Sequence, residues 1–203
     1  MKTMTEAGIA PVGMGCASQI TSPVLMLIDL QRDLCYDSRR NHLFRSALPY
    51  YEKTIEAFQG HGHPVVLTKF ELDLDDDQFQ RFGDRYCVKG TPGAEFVDEI
   101  AVYAKEVESH GLVVKKLKHS AFYETDLEDR LREHGVETIV LGGLQTQICV
   151  LTTAADAYNR GFKVVAAREV LISTRNEAKL DALEWIEKYV GEVHSVDDIL
   201  RVL

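Results

Sequence analysis

Long hydrophobic runs are missing from this chain. No apolar stretch approaches the roughly 18–20 residues that a membrane-spanning helix needs. Basic residues are also in short supply: 23 Lys and Arg stand against 32 Asp and Glu, for a formal net charge of −9. That balance argues against phosphate backbones and anionic membranes, so neither nucleic acid nor membrane is an expected partner. Cysteine is sparse and scattered, with Cys16, Cys35, Cys87 and Cys149 far apart and no C-x-x-C pair. A familiar zinc-site spacing is excluded, no dense disulfide framework is present, and a reducing cytoplasm is the expected compartment. Repeats, low-complexity segments and Pro/Ser-rich linkers are absent as well, so a single domain is expected over 21–203. Residues 1–20 hold one early Lys, no sustained apolar core, and Gly8, Pro11, Gly13 and Gly15. They read as a flexible tail rather than a secretory signal.

What is present alternates between two patterns. Val24–Ile28 is an apolar run too short for a helix and reads as a strand buried on both faces. Pro64–Thr68, Leu112–Val114, Thr138–Leu141, Lys163–Ala167 and the short Glu192-Val193 read as five more strands. Between them, helices are expected over Phe44–Phe58 and Ala94–Glu108, from a Thr125 cap to His134, from Cys149 to Arg160, over Asn176–Tyr189, and after a capping box made by Ser195 and Asp198. Strands and helices in this alternation imply right-handed crossovers and a parallel sheet covered on both faces. Ligands of such sheets bind outside the carboxyl ends of the strands.

That rule sorts the reactive side chains. Asp29 follows the first strand, Lys115 and Lys116 end the third, and Cys149 follows the fourth, so all can reach one rim. Asp29 reads either as a helix cap or as an active-site carboxylate. Lys115, Lys116 and Lys118 read either as a solvated patch or as the source of one inward cation. Cys149 could be a structural thiol. Its place after Gly142-Gly143 and a polar turn, at the start of a helix, instead favours a nucleophile whose thiolate the helix dipole would stabilise. Backbone N–H groups of that turn could form an oxyanion hole. His61 and His63 precede the second strand and fall at the opposite edge. The acidic stretch Glu71–Asp77 reads as a solvated loop rather than a hard-cation site.

Four motifs in order carry a resemblance: Leu27-Ile28-Asp29-Leu30-Gln31-Arg32-Asp33; Gly90-Thr91-Pro92-Gly93-Ala94-Glu95; Lys116-x-x-x-Ser120-Ala121-Phe122; and Gly143-x-x-Thr146-x-x-Cys149-Val150-x-x-Thr153-Ala154-x-Asp156-Ala157. Together they resemble the isochorismatase-like cysteine hydrolases from about Val24 to Val193. The resemblance implies a three-layer α/β/α fold with a six-stranded parallel sheet and a catalytic triad of Asp29, Lys116 and Cys149. It also implies a cis peptide before Gln145 and an oxyanion hole made by the N–H groups of Gln145 and Cys149. Self-association into a homo-oligomer, dimer or tetramer, is a further implication.

With the cysteine present, the resemblance implies hydrolysis of an amide, ureido or carbamoyl bond of a small molecule through a thioester. A vinyl-ether hydrolase, a non-catalytic module and a redox thiol protein are the alternatives, the last using Cys35 or Cys87 as partner. Nicotinamidases of this family carry metal ligands at positions that here match Phe70, Leu72 and Tyr86. None of these is an imidazole, so no metal and no other cofactor is expected. Phe70, Tyr86, His119 and Tyr123 are the candidates for lining a substrate pocket.

Overall fold

The computed structural model describes residues 20–83 and 85–203. Strand β1 (Pro23–Ile28) has no exposed residue, which requires covered faces and a neighbour on each edge. After it come a single turn, α1 (Arg32–Cys35), and the long α2 (Asn41–Gly60). Strand β2 (Val65–Phe70) is followed by α3 (Asp77–Phe82), a 3-10 turn at Pro92–Ala94, and α4 (Asp98–Ser109). Next are β3 (Val113–Lys116), α5 (Leu127–Glu133) and β4 (Thr138–Leu144). A π-helical turn at Thr146–Val150 leads into α6 (Leu151–Asn159). The chain continues through β5 (Lys163–Ile172), α7 (Asn176–Tyr189), β6 (Glu192–His194) and α8 (Val196–Leu200).

The six strands form one sheet in the order β3-β2-β1-β4-β5-β6, every pair parallel. Helices α2 and α8 meet each other and β5, as do α6 and α7. Val164 to Ala167 of β5 are buried whichever way they point, so the two helix pairs form the two outer layers. The expected α/β/α architecture with its six-stranded parallel sheet is the observed one.

Registers at the carboxyl ends position the rim. Ile28 lies opposite Thr68 on one side and Gly143 on the other, and Phe70 lies opposite Lys116. Gly143 has φ +107°, and a Cβ there would come within 2.1 Å of the Ile28 carbonyl oxygen. Only glycine allows β4 to lie this close to β1.

Several element boundaries differ from the sequence reading. The π-helical turn, not a regular helix start, holds Cys149. Thr125 does not cap α5: Asp126 occupies that position, and the Thr125 hydroxyl donates to the Ala121 carbonyl at 2.6 Å. The helix expected from Ala94 starts at Asp98, because the Pro92–Ala94 turn intervenes. The acidic stretch is not simply a loop. Asp76 caps α3 by accepting from the Gln78 N–H at 2.9 Å, and Glu71 pairs with Lys69 and Lys115. The tail expectation lies outside the described residues except at Ile20, which packs half-buried against the core. Among the described residues, no helix is long and apolar enough to cross a membrane.

Candidate active site

The strand order reverses between β1 and β4, and an open α/β sheet splits into a crevice at such a point. Asp29 sits on one lip, directly after β1, with a left-handed backbone (φ +57°) that Asp tolerates better than most residues. The carboxylate is wholly buried. Its Oδ1 accepts from the Thr68 hydroxyl at 2.8 Å, and its Oδ2 stands 2.8 Å from Lys116 Nζ, also wholly buried. Lys116 further donates to the carbonyls of Lys118 and His119, at 3.1 and 3.2 Å, and lies 3.4 Å from the centre of the Phe70 ring. The ammonium is therefore compensated on every side, which a buried charge requires. Asp29 Oδ2 receives no hydrogen bond of good geometry, so a lone pair remains there for another proton.

The three lysines left open by the sequence are now distinct. Lys116 is the inward one, Lys115 is spent on Glu71 at 3.1 Å, and Lys118 pairs with Asp77 at 3.5 Å. Asp29 is not a helix cap: α1 begins three residues later, after Gln31. Gln31 bridges the rim instead. Its side chain donates to the carbonyls of Phe70 and Ala94 and accepts from the Phe70 N–H, all within 2.8 Å.

Cys149 comes from the other lip. The Leu144–Gln145 peptide is cis, and the Gln145 carbonyl accepts from the amides of Ile148 and Val150 at 3.0 and 3.3 Å. The thiol is buried, with Asp29 and Lys116 acting on it and His119 Nδ1 at 3.8 Å from Sγ. Burial is the largest influence and pushes the thiol up to about 12; Lys116 pulls it down and Asp29 pushes it further up. Burial thus works against the thiolate that a helix dipole would favour. The motif around Ser120 holds the two lips together. Ser120 donates to Asp156 at 2.5 Å, and the Ala121 N–H donates to the Thr153 hydroxyl at 3.1 Å. These bonds tie the segment carrying Lys116 and His119 to α6.

A cavity of about 530 Å³ opens onto Cys149, a size suited to a small molecule. Phe70, Tyr86, Leu144 and Ile148 give it an apolar wall, with His119 and Gln145 beside the thiol. Burial pushes the Tyr86 phenol up to about 12, so it is neutral. Tyr123 does not line the cavity; it lies 47% exposed to solvent. Asp33, Asp37, Arg39, Arg40 and Arg85 form a charged flank. No motif marked these arginines or Thr68; the only signal for Thr68 was its place opposite the end of β1.

Phe70 and Tyr86 face this cavity, their rings edge to face at 6.0 Å, while Leu72 is buried. That set does not fit a metal ion. Among the described residues, no three His, Cys, Asp or Glu side chains are grouped to hold a metal. His61 and His63 lie before β2, away from the rim, their rings stacked at 6.4 Å. Cys35 and Cys87 are buried free thiols, both raised mainly by burial.

An isochorismatase-domain family model matches residues 23–198. The chain is 35% identical over 139 residues to an uncharacterized isochorismatase family protein, PncA, of Bacillus subtilis (strain 168), spanning 66% of this chain and 75% of that protein. Among solved structures it is similar to pyrazinamidase/nicotinamidase from Streptococcus mutans UA159, with TM-score 0.77, 27% identity, and 85% of this chain and 99% of that chain covered. It is also similar to N-carbamoylsarcosine amidase from Thermoplasma acidophilum, with TM-score 0.74, 29% identity, and 86% of this chain and 96% of that chain covered.

Proposed function

The chain belongs to the isochorismatase family of hydrolases, and from that premise we propose that it cleaves the C–N bond of a small amide, ureido or carbamoyl compound through a thioester on Cys149. The observation that carries this reading is the buried thiol at the cavity floor, against a carboxylate–ammonium pair that is itself sealed from water.

Substrate enters the cavity with its carbonyl carbon over Cys149 Sγ. Because the resting thiol is protonated, attack and proton loss are coupled: the proton passes to the open lone pair of Asp29 Oδ2 as the S–C bond forms. Lys116 stays protonated and offsets the charge on the carboxylate and the sulfur. The N–H groups of Gln145 and Cys149 receive the developing oxyanion. Asp29 then passes its proton to the departing nitrogen, releasing ammonia or an amine. The same carboxylate deprotonates a water that hydrolyses the thioester. The reading places the protein in a reducing cytoplasm, as a dimer or tetramer.

The test is an ammonia-release screen over small amides and carbamoyl compounds, joined to mass spectrometry of acid-quenched reactions. Wild type should turn over at least one compound and carry its acyl group on Cys149. Cys149→Ala should lose turnover and the adduct while keeping its circular dichroism. Turnover retained in Cys149→Ala would remove the mechanism.

A further inference from the structure

Among the described residues, the charges on the flank of the cavity do not balance, and the excess is positive. Three guanidinium groups, Arg39, Arg40 and Arg85, line it against two carboxylates, Asp33 and Asp37, in a chain whose net charge is −9. Both carboxylates are already engaged. Asp37 pairs with Arg39 at 3.0 Å and with Arg40 at 3.6 Å. Asp33 accepts the Cys87 N–H at 2.8 Å and lies so close over Gly93 that a Cβ there would meet it at 2.1 Å. Deeper in, Asp29 and Lys116 cancel each other.

Among the described residues Arg85 has no such partner. It is exposed, lines the cavity that opens onto Cys149, and makes no hydrogen bond or ion pair among the described residues. It also borders a second hollow with Asp75 and Asp76. Asp76 is committed to the Gln78 N–H and side-chain amide at 2.9 and 3.0 Å, and Asp75 is open to water. On the same flank Arg40 is nine-tenths buried, and its Nε lacks a partner, so one of the three guanidinium groups is fixed in the fold.

An exposed guanidinium fork on the wall of the cavity that opens onto Cys149 matches a planar carboxylate, which it can bind through two parallel hydrogen bonds. We propose that the substrate is a small amide or ureide that bears a carboxylate away from the scissile bond, and that Arg85 is the residue that reads it. This deepens the hydrolase reading and rests on it. Uncharged amides of the same length leave Arg85 unmatched and forgo those bonds.

The test uses the monoamides malonamate, succinamate and glutaramate beside their uncharged diamides. Wild type should favour at least one acid over its diamide in kcat/KM, and Arg85→Gln should shrink that ratio about 10- to 100-fold, chiefly through KM. Arg85→Lys should restore part of it. Equal use of acid and diamide, or a ratio that Arg85→Gln leaves untouched, overturns the proposal. A second readout separates it from the hydrolase reading: protection of Cys149 from iodoacetamide by malonate, succinate or glutarate. Protection that Arg85→Gln abolishes, with no turnover of any compound, upholds the anion site and removes the hydrolase. Absence of protection by all three, with no turnover, overturns the anion site.

Discussion

At Cys149 two opposing effects can be compared in size. A helix terminus contributes about 0.3–1 kcal/mol, less than one pKa unit. Removing a thiolate from water costs several units, and this thiol is buried, so desolvation wins. In the free protein, iodoacetamide labelling of Cys149 should therefore rise about tenfold per pH unit between about pH 7 and 10 without levelling off. The sign follows from a pKa raised to about 12: below it the thiol predominates, and each added unit of pH multiplies the thiolate. A plateau near neutrality would mean a preformed ion pair. The other half of the site can be probed at Thr68, whose hydroxyl donates to Asp29 Oδ1. Thr68→Val keeps the shape and removes the donor, and should lower kcat/KM by roughly 10- to 100-fold with little change in melting temperature. Asp29, Lys116 and Cys149 were legible because each follows or ends a strand within a quotable motif. Thr68 was not, because a Thr at a strand end looks like any β-branched residue until its neighbour strand is known.

Among the elements, β4 positions Cys149. It runs through Gly142-Gly143-Leu144, residues with no strand signal of their own, because β1 and β5 supply hydrogen bonds on both edges. This is why the sequence placed its end three residues early. The same tertiary support extends β5 to Ile172, well past the polar Arg168-Glu169 that broke the apolar pattern. Strand β1 and helix α7, by contrast, were read closely, since a short run of apolar residues and a long amphipathic stretch carry their period internally. Helices α1 and α3 are too short to show a period. Gly143→Ala tests the β1–β4 seam. The positive φ and the collision with the Ile28 carbonyl should together cost about 2–4 kcal/mol, seen as a lower urea midpoint. Because the displaced segment leads directly to the cis peptide and Cys149, activity should fall further than stability alone explains.

For the whole molecule, two expectations follow. Sedimentation should show a dimer or tetramer, as the family resemblance implies; a monomer at micromolar concentration would contradict it. Chelation with EDTA should leave turnover unchanged, because Phe70, Leu72 and Tyr86 present no donor set for a metal near the thiol. Strand β1 has a consequence of another kind. It lies at the middle of the sheet, yet its partners are made far apart in time: β2 within some forty residues, β4 only after residue 138. A chain emerging from the ribosome thus holds an apolar, half-paired β1 from the completion of β2 at Phe70 until β4 is made from Thr138, with one bare edge of the kind that invites other strands. Products of premature stop codons before Thr138 should collect in inclusion bodies, and every such fragment lacks the strand that both completes the pairing of β1 and leads to Cys149.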